Sequence, residues 1–221
     1  MPHALVLVGH GRYEDPWHDH AATSHALTGL LAEDGWDVTL RSTFPDALDD
    51  VPRPDLLVVN AGSGRPDPAF DGDDDAWLPF HDRRAALVGD GVPVLAVHQS
   101  ANTFGDDPRW AATLGGRWVD GTSWHPPIGD AVLRVVDDAH PVTASLVDGT
   151  LAAYDERYLD LVRDPSVHVL AVARHDDVDH PVVWVAPGGR AVYSALGHDV
   201  RSYASPSHRT LLRAAVAWLA G

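Results

Sequence analysis

The chain has 221 residues, 45% of them hydrophobic, no cysteine, and 32 acidic against 16 basic residues for a formal charge of −16. Without cysteine there is no disulfide, thiolate nucleophile or thiolate metal site, and the acidic field, with no arginine cluster to offset it, argues against nucleic acid as a partner. Length and composition predict one domain over residues 1–221. With no run near ~18 apolar residues and no basic leader before ALVLV, the chain is expected to be cytoplasmic with no membrane partner.

Ala4 to Val8 is a short apolar run ending in Gly9, His10 and Gly11, which predicts a buried first strand and then a loop where glycine permits close approach. The loop continues through Trp17 and is rich in His, Asp and Trp. From His18 to Asp34 the apolar residues recur at helical spacing, with Gly35 as a C-cap. Trp36 to Leu40 reads as the second strand and Asp55 to Asn60 as the third, the latter closing in a glycine-rich turn, Asn60-Ala61-Gly62-Ser63-Gly64. Phe70 to Asp75 (FDGDDD) resembles a calcium loop only in composition and is read as a solvated acidic turn leading into a helix over Ala76 to Asp90.

Val92 to Val97, opened by Gly91 and Pro93, has the Val, Leu and Ala content of a strand buried on both faces. It stops abruptly at His98, Gln99 and Ser100, at the carboxyl edge of the sheet where open α/β folds bind ligands. The alternation to this point predicts a parallel, doubly wound sheet. Beyond Arg109, Ala131 to Val136 and Val167 to Ala173 read as strands. Val182 to Val185 and Ala191 to Leu196 read as a hairpin around Pro187-Gly188-Gly189, so this half adds strands of mixed direction. Ser205-Pro206 opens a closing helix that turns Leu211, Leu212, Ala215, Val216 and Leu219 inward.

Five segments in order, AVHQSANTF, LGGRWVDGTSWHPP, AAYDERYL, DHPVVWV and GGRAVYSALGHD, followed by a helix containing AVAW, resemble the ThuA-like family of trehalose-utilisation proteins. The resemblance covers nearly the whole chain and is strongest from Gly91 onward. It implies a flavodoxin-like three-layer α/β sandwich with a mostly parallel central sheet, similar to class I glutamine amidotransferases. In those enzymes a cysteine occupies the tight elbow after the central strand. Here His98 stands at that place, so hydrolysis of glutamine through a thioester is excluded and the fold carries no activity across.

Candidate residues follow from strand ends and from the family-like segments. His98, Glu156 and His198 are read as catalytic acids and bases, imidazole being the side chain that ordinarily exchanges protons near neutrality. The family resemblance favours a working carboxylate in Tyr154-Asp155-Glu156, with Asp155 the less certain of the two acids. His10, Asn60, Gln99, Trp124 and Tyr154 are candidate substrate contacts, and His125 and His180 are candidate ligands for a divalent metal such as zinc. His18-Asp19-His20 has the wrong spacing for two ligands on one helical face. Ser100 lacks the flanking glycines of a serine elbow, and neither a P-loop nor a GxGxxG is present.

Each reading has a plainer alternative. His98 could satisfy a loop carbonyl, Tyr154 to Tyr158 could be a solvated turn, and most of the eight tryptophans should be core. The function expected is an isomerase, lyase or hydrolase acting on a disaccharide or keto-sugar derivative by His/Glu acid–base chemistry, with or without a metal. The alternative is a non-catalytic sugar-binding or partner-binding protein. A small sugar-derived ligand is the expected partner, and a homo-oligomer is left open.

Overall fold

The computed structural model describes all residues from Met1 to Gly221. Its strands are β1 (His3–Val8), β2 (Asp37–Ser42), β3 (Leu56–Asn60), β4 (Val94–Val97), β5 (Gly116–Arg117), β6 (Gly129–Val135), β7 (Thr150–Asp155), β8 (Val162–Arg163), β9 (His168–His175), β10 (Val178–Val185) and β11 (Ala191–Ser194). The helices are α1 (His20–Glu33), α2 (Pro68–Asp71), α3 (Asp74–Gly89), α4 (Pro108–Leu114), α5 (Val200–Ala204) and α6 (Pro206–Ala220).

Nine strands form one sheet in the order β2-β1-β3-β4-β11-β10-β9-β6-β7. From β2 to β11 every pairing is parallel, and from β11 to β7 every pairing is antiparallel. The parallel half is thus the doubly wound part that the sequence predicts. The antiparallel half extends it by two hairpins. One is the expected turn at Gly188-Gly189; the other, between β9 and β10, turns on Asp176 and Asp177, both at positive φ (45° and 61°). Aspartate tolerates that conformation and the primed turn it builds matches strand twist.

All four residues of β4 and all five of β3 are buried, as strands covered on both faces must be. Helices α1, α5 and α6 pack on one another and on the sheet, while α3 lies beside α4, which sits on β11. Ser205 caps α6 by accepting from the His208 amide, and Pro206 needs no partner in the first turn. Its inward face joins a contiguous core of 55 buried residues, each Leu or Val contributing about 1.5–3 kcal/mol. The exposed edge of β7 is blocked by Ser205 and Ser207, whose hydroxyls donate to the Ala152 carbonyl, which prevents that edge from pairing with another chain.

Two local expectations are corrected. Helix α1 begins at His20 because the Asp19 side chain accepts from the Ala22 amide as an N-cap, so His18 precedes the helix and is free to point elsewhere. The acidic turn at Phe70–Asp75 is not all solvated: Asp71 is buried and receives the Arg12 amide at 2.8 Å.

A histidine cluster at the carboxyl edge of the sheet

At the end of β4 the chain turns sharply through residues 98–101, and His98 takes a left-handed conformation with φ 47°. That conformation costs a non-glycine residue roughly 1–2 kcal/mol, so the surroundings must hold it. They do so by hydrogen bonds: His98 Nδ1–H donates to the Ala195 carbonyl at 2.7 Å, the Tyr193 hydroxyl donates to the His98 carbonyl at 2.8 Å, and Ser100 Oγ donates to the Val59 carbonyl at 2.6 Å. Space comes from glycines on adjacent strand ends. A Cβ at Gly62 would stand 1.7 Å from Gln99 Oε1, and one at Gly197 would stand 2.6 Å from the Tyr203 hydroxyl and 3.3 Å from His98 Cβ.

Three other strand ends deliver side chains to this elbow. The loop after β1 brings His18, whose Nε2 lies 3.1 Å from His98 Nε2. The end of β7 brings Glu156, with Oε2 3.6 Å from His98 Nε2 and 3.9 Å from His18 Nε2. The end of β11 brings His198, whose Nδ1 is 3.3 Å from the same Oε2. One ligand atom from each of these four residues lies within 4.8 Å of the others, the spacing at which they could share a metal ion. Tyr158 stacks on His98 with ring centroids 4.4 Å apart and sets its hydroxyl 3.0 Å from His98 Nε2.

The two acids of the Asp155-Glu156 pair divide their work. Asp155 is wholly spent on backbone, accepting from Gly197 N at 2.7 Å, Glu156 N at 2.8 Å and His198 N at 3.2 Å, so it ties the β7 end to the β11 end. Glu156 faces the inward nitrogens of the imidazoles, while Asp155 Oδ1 stands 4.0 Å from His98 Nδ1 on the outer side of that ring. Burial by itself would raise its carboxyl, but the surrounding His18, His198 and His98 outweigh that and hold it well below the usual carboxylate range. Burial likewise pulls His18 down, yet the Asp15 carboxylate, 2.7 Å from His18 Nδ1, together with Glu156, pushes it up to about 9. Asp15 is held at about 2, since hydrogen bonds from His18 and Gln99 outweigh its burial. Beneath them His20 is pushed down to about 4 by burial and by the charge on His18, and stays neutral.

His18, Glu156 and His198 line the floor of an open cavity of about 510 Å³, with His98 buried just behind them. Trp17, 76% exposed, and the half-buried Trp118 line it, with Ser63, Gln99 and Asn102 supplying polar atoms. Of the residues singled out by sequence, His98, Gln99, Glu156 and His198 meet here. His125 also lines the cavity, donating from Nδ1 to the Pro126 carbonyl, with Glu156 Oε1 3.6 Å away.

The structure sets the remaining candidates apart, which corrects the expectation that they would share the site. His10 packs against Phe44 and Phe70 and pairs with Glu14 at 3.1 Å. Asn60 is buried beneath α1, donating to Thr23 and Ser24 hydroxyls at 2.8 and 2.9 Å. Trp124 donates to Asp160 at 2.9 Å, and the Tyr154 ring lies under Arg201, 4.2 Å from the guanidinium carbon. His180 is held by Asp160, its Nδ1 3.1 Å from the carboxylate, and reaches none of the four clustered groups; the metal-ligand geometry therefore gathers His18, His98, His198 and Glu156 rather than His125 and His180. Sequence reasoning missed His18, Asp15 and Tyr158. The rule that picks out His98, polar residues just past a buried strand, also applies to the Asp- and His-rich loop after β1.

The family described as trehalose utilisation, ThuA, matches residues 5–219. Among solved structures, a protein described as ThuA-like from Parabacteroides merdae superposes with a TM-score of 0.81 at 18% identity, covering 100% of this chain and 90% of that one. A ThuA-like counterpart from Bacteroides uniformis gives 0.73 at 17% identity, covering 99% and 91%. A glutamine amidotransferase from Thermotoga maritima gives 0.63 at 10% identity, covering 99% and 98%. A search of curated proteins found no match. The fold is therefore that of class I glutamine amidotransferases, as the sequence resemblance implies, with histidine at the elbow. No helix is long and apolar enough to cross a membrane.

Proposed function

The chain belongs to the ThuA family, and from that premise we propose that it is an enzyme which moves protons on a disaccharide or keto-sugar derivative bound over the His98 elbow. The observation that carries this reading is the convergence of three imidazoles and one buried carboxylate, from four strand ends, at and just beneath the floor of a cavity walled by Trp17 and Trp118. Indole faces suit the apolar face of a sugar ring, and Ser63, Gln99 and Asn102 suit its hydroxyls.

Roles follow from the electrostatics. A carboxylate held far below its ordinary range is a weak proton acceptor, so Glu156 orients and charges the imidazoles around it. In the ion-free site His18, with its pKa raised, is the cationic group that stabilises negative charge growing on a carbonyl or leaving oxygen, a role that a bound cation would take over. His198, which lines the cavity, is left to exchange protons with the substrate, while His98, buried behind it, holds His18 and Glu156 in place. The reaction class that fits is isomerisation, elimination or hydrolysis next to a carbonyl.

The test is a panel of disaccharides and their keto derivatives, followed by NMR for product, with His98→Ala and Glu156→Gln alongside the parent protein. Product from the parent alone supports the proposal. Tight sugar binding with no product across the panel overturns it in favour of a binding protein.

A further inference from the structure

We propose that His18 Nε2, His98 Nε2, His198 Nδ1 and the Glu156 carboxylate form a binding site for one divalent transition-metal ion of the zinc class. The inference rests on the reading of this cavity as the working site, and deepens it.

The tautomers of two ligands are set by their other nitrogens. His18 Nδ1–H donates to Asp15 and His98 Nδ1–H donates to the Ala195 carbonyl, each at 2.7 Å. In the neutral rings both Nε2 atoms then carry lone pairs, and they face each other at 3.1 Å. Acceptors behind imidazoles that fix the nitrogen pointing inward are the arrangement found behind metal-bound histidines. Two nitrogens on one tetrahedral zinc, each bonded at about 2.0–2.1 Å, stand about 3.3 Å apart.

A proton on His18 would also relieve the facing lone pairs. It would not serve the other half of the cluster. Glu156 Oε2 and His198 Nδ1 are buried without a hydrogen-bond partner although they lie 3.3 Å apart, and the Glu156 residue is only 8% exposed. Leaving such atoms unsatisfied costs about 1–3 kcal/mol each, more for a charged group. A cation among the four ligand atoms satisfies both of them and both facing nitrogens at once.

The donor set decides the ion. Three imidazole nitrogens and one carboxylate oxygen, with no thiolate in the chain, suit zinc, manganese or cobalt rather than calcium, magnesium or copper(I). His10 and His180 lie outside this set, paired with Glu14 and Asp160 and converging on no other imidazole of the cluster. An ion here would lie at the floor of the cavity, open to a substrate oxygen, and would polarise a carbonyl bound there. The Tyr158 hydroxyl, 3.0 Å from His98 Nε2, competes with the ion for that nitrogen.

The test uses full-length, untagged protein, stripped with chelator, dialysed, and titrated with Zn²⁺ by calorimetry and against a chromophoric chelator. Metal content is read by elemental analysis, and Co²⁺ substitution supplies a visible spectrum of the coordination. One ion per chain is expected. His18→Ala and His198→Ala should abolish stoichiometric uptake, and Asp15→Asn should weaken it about 10- to 100-fold through loss of the acceptor behind His18. Tyr158→Phe and His10→Ala should retain the stoichiometry, and melting curves confirm that each variant is folded.

Absence of stoichiometric uptake by the stripped parent, or equal uptake by folded His18→Ala, overturns the site. Binding is read without turnover. Metal bound with no product on any sugar would sink the enzyme reading alone, and turnover by a parent protein that takes up no stoichiometric metal would sink the metal site alone.

Discussion

Two dense clusters of ionisable side chains lie on this fold, and they are built on opposite plans. Around α3, Arg12 meets Asp74 at 2.8 Å, Asp71 at 3.4 Å and the Gly72 carbonyl at 2.7 Å; Arg84 pairs with Asp107, and His81 lies 3.3 Å from Asp106. Each cation there faces an anion, and aromatic rings cover the guanidinium faces: Trp77 over Arg12, Phe104 and Trp110 over Arg84. At the carboxyl edge the inward atoms of three imidazoles converge on the one carboxylate of Glu156, while Asp15 stands behind His18 on its far side. The first cluster is neutralised charge by charge, although Arg12 Nε, His81 Nδ1 and two Arg84 nitrogens are buried without a hydrogen-bond partner. The second holds groups that nothing in the chain fully satisfies. What marks a site is therefore the direction of unmatched lone pairs rather than the density of charge.

The sharpest break of this contrast is in rate. His98→Ala and Glu156→Gln should each lower turnover by about 10²- to 10⁴-fold, the usual range for loss of a positioned acid, base or orienting charge. Their stability costs should differ. Glu156→Gln keeps the shape but gives up the charge that the surrounding histidines favour, so it should melt below the parent while remaining folded. His98→Ala leaves the Ala195 carbonyl without its donor and puts alanine at φ 47°, so it should lose about 1–3 kcal/mol, measurable by urea denaturation. Equal turnover by either variant and the parent would remove that residue from the chemistry.

In the neutralised cluster the effect should fall on stability instead. Arg84 is fully buried, so Asp107→Asn leaves a charge without its partner and should cost about 3–5 kcal/mol. Turnover measured where the variant is still folded should be unchanged. A large rate effect with intact stability would mean that the two clusters communicate.

How far this contrast could be read from the chain depends on the residue. Val92 to Val97 and His98 are legible because a buried parallel strand has few polar residues and its end announces itself. Helix α6 and the Gly188-Gly189 hairpin are legible through their caps and glycines. Strand β7 is not: TLAAYD is rich in alanine, which has little preference for a strand, and its alternation shows only once its inner residues Leu151 and Ala153 are seen packed. The β9–β10 turn hides because aspartates, not glycines, take the left-handed positions. Glu156 and His198 were found through family-like segments, whereas their approach to His18 depends on sheet register and on Asp155 clamping Gly197, which sequence spacing does not encode. The helical-spacing argument against His18 fails because this residue lies one position before the Asp19 N-cap, outside the helix.

Acid should reveal the neutralised cluster more gently than mutation. Asp106 and Asp107 are held below their usual 3.8: burial opposes this, while His81 and Tyr13 act on the first, Arg109 and Arg84 on the second. Because folding depresses these values, their contribution is intact above the unfolded value of 3.8 and is lost as pH falls through the lower folded values. Urea midpoints should therefore hold at neutral pH and decline below about pH 5, with a shallower decline in Asp107→Asn. An identical slope in that variant would show that Asp107 takes no part in the acid transition.

The smallest effect should come from His10, which the sequence groups with the site and the structure does not. Its ring rests edge-on against Phe44 and Phe70, with centroids 5.1 and 5.4 Å away, and its ion pair with Glu14 is partly open to water. Such exposed pairs contribute about 0–1 kcal/mol because solvent screens the charges and two side chains must be held still. The backbone contacts that shape this loop, His10 N–H to Thr43 Oγ1 at 2.8 Å and Thr43 Oγ1–H to the His10 carbonyl at 2.9 Å, do not involve the imidazole. His10→Ala should accordingly melt within a few degrees of the parent and leave both kcat and KM unchanged. A rise in KM of tenfold or more, about 1.4 kcal/mol, would show that substrate reaches past the Trp17 side of the cavity to the β1 loop, and that the pocket is larger than the four strand ends at its floor.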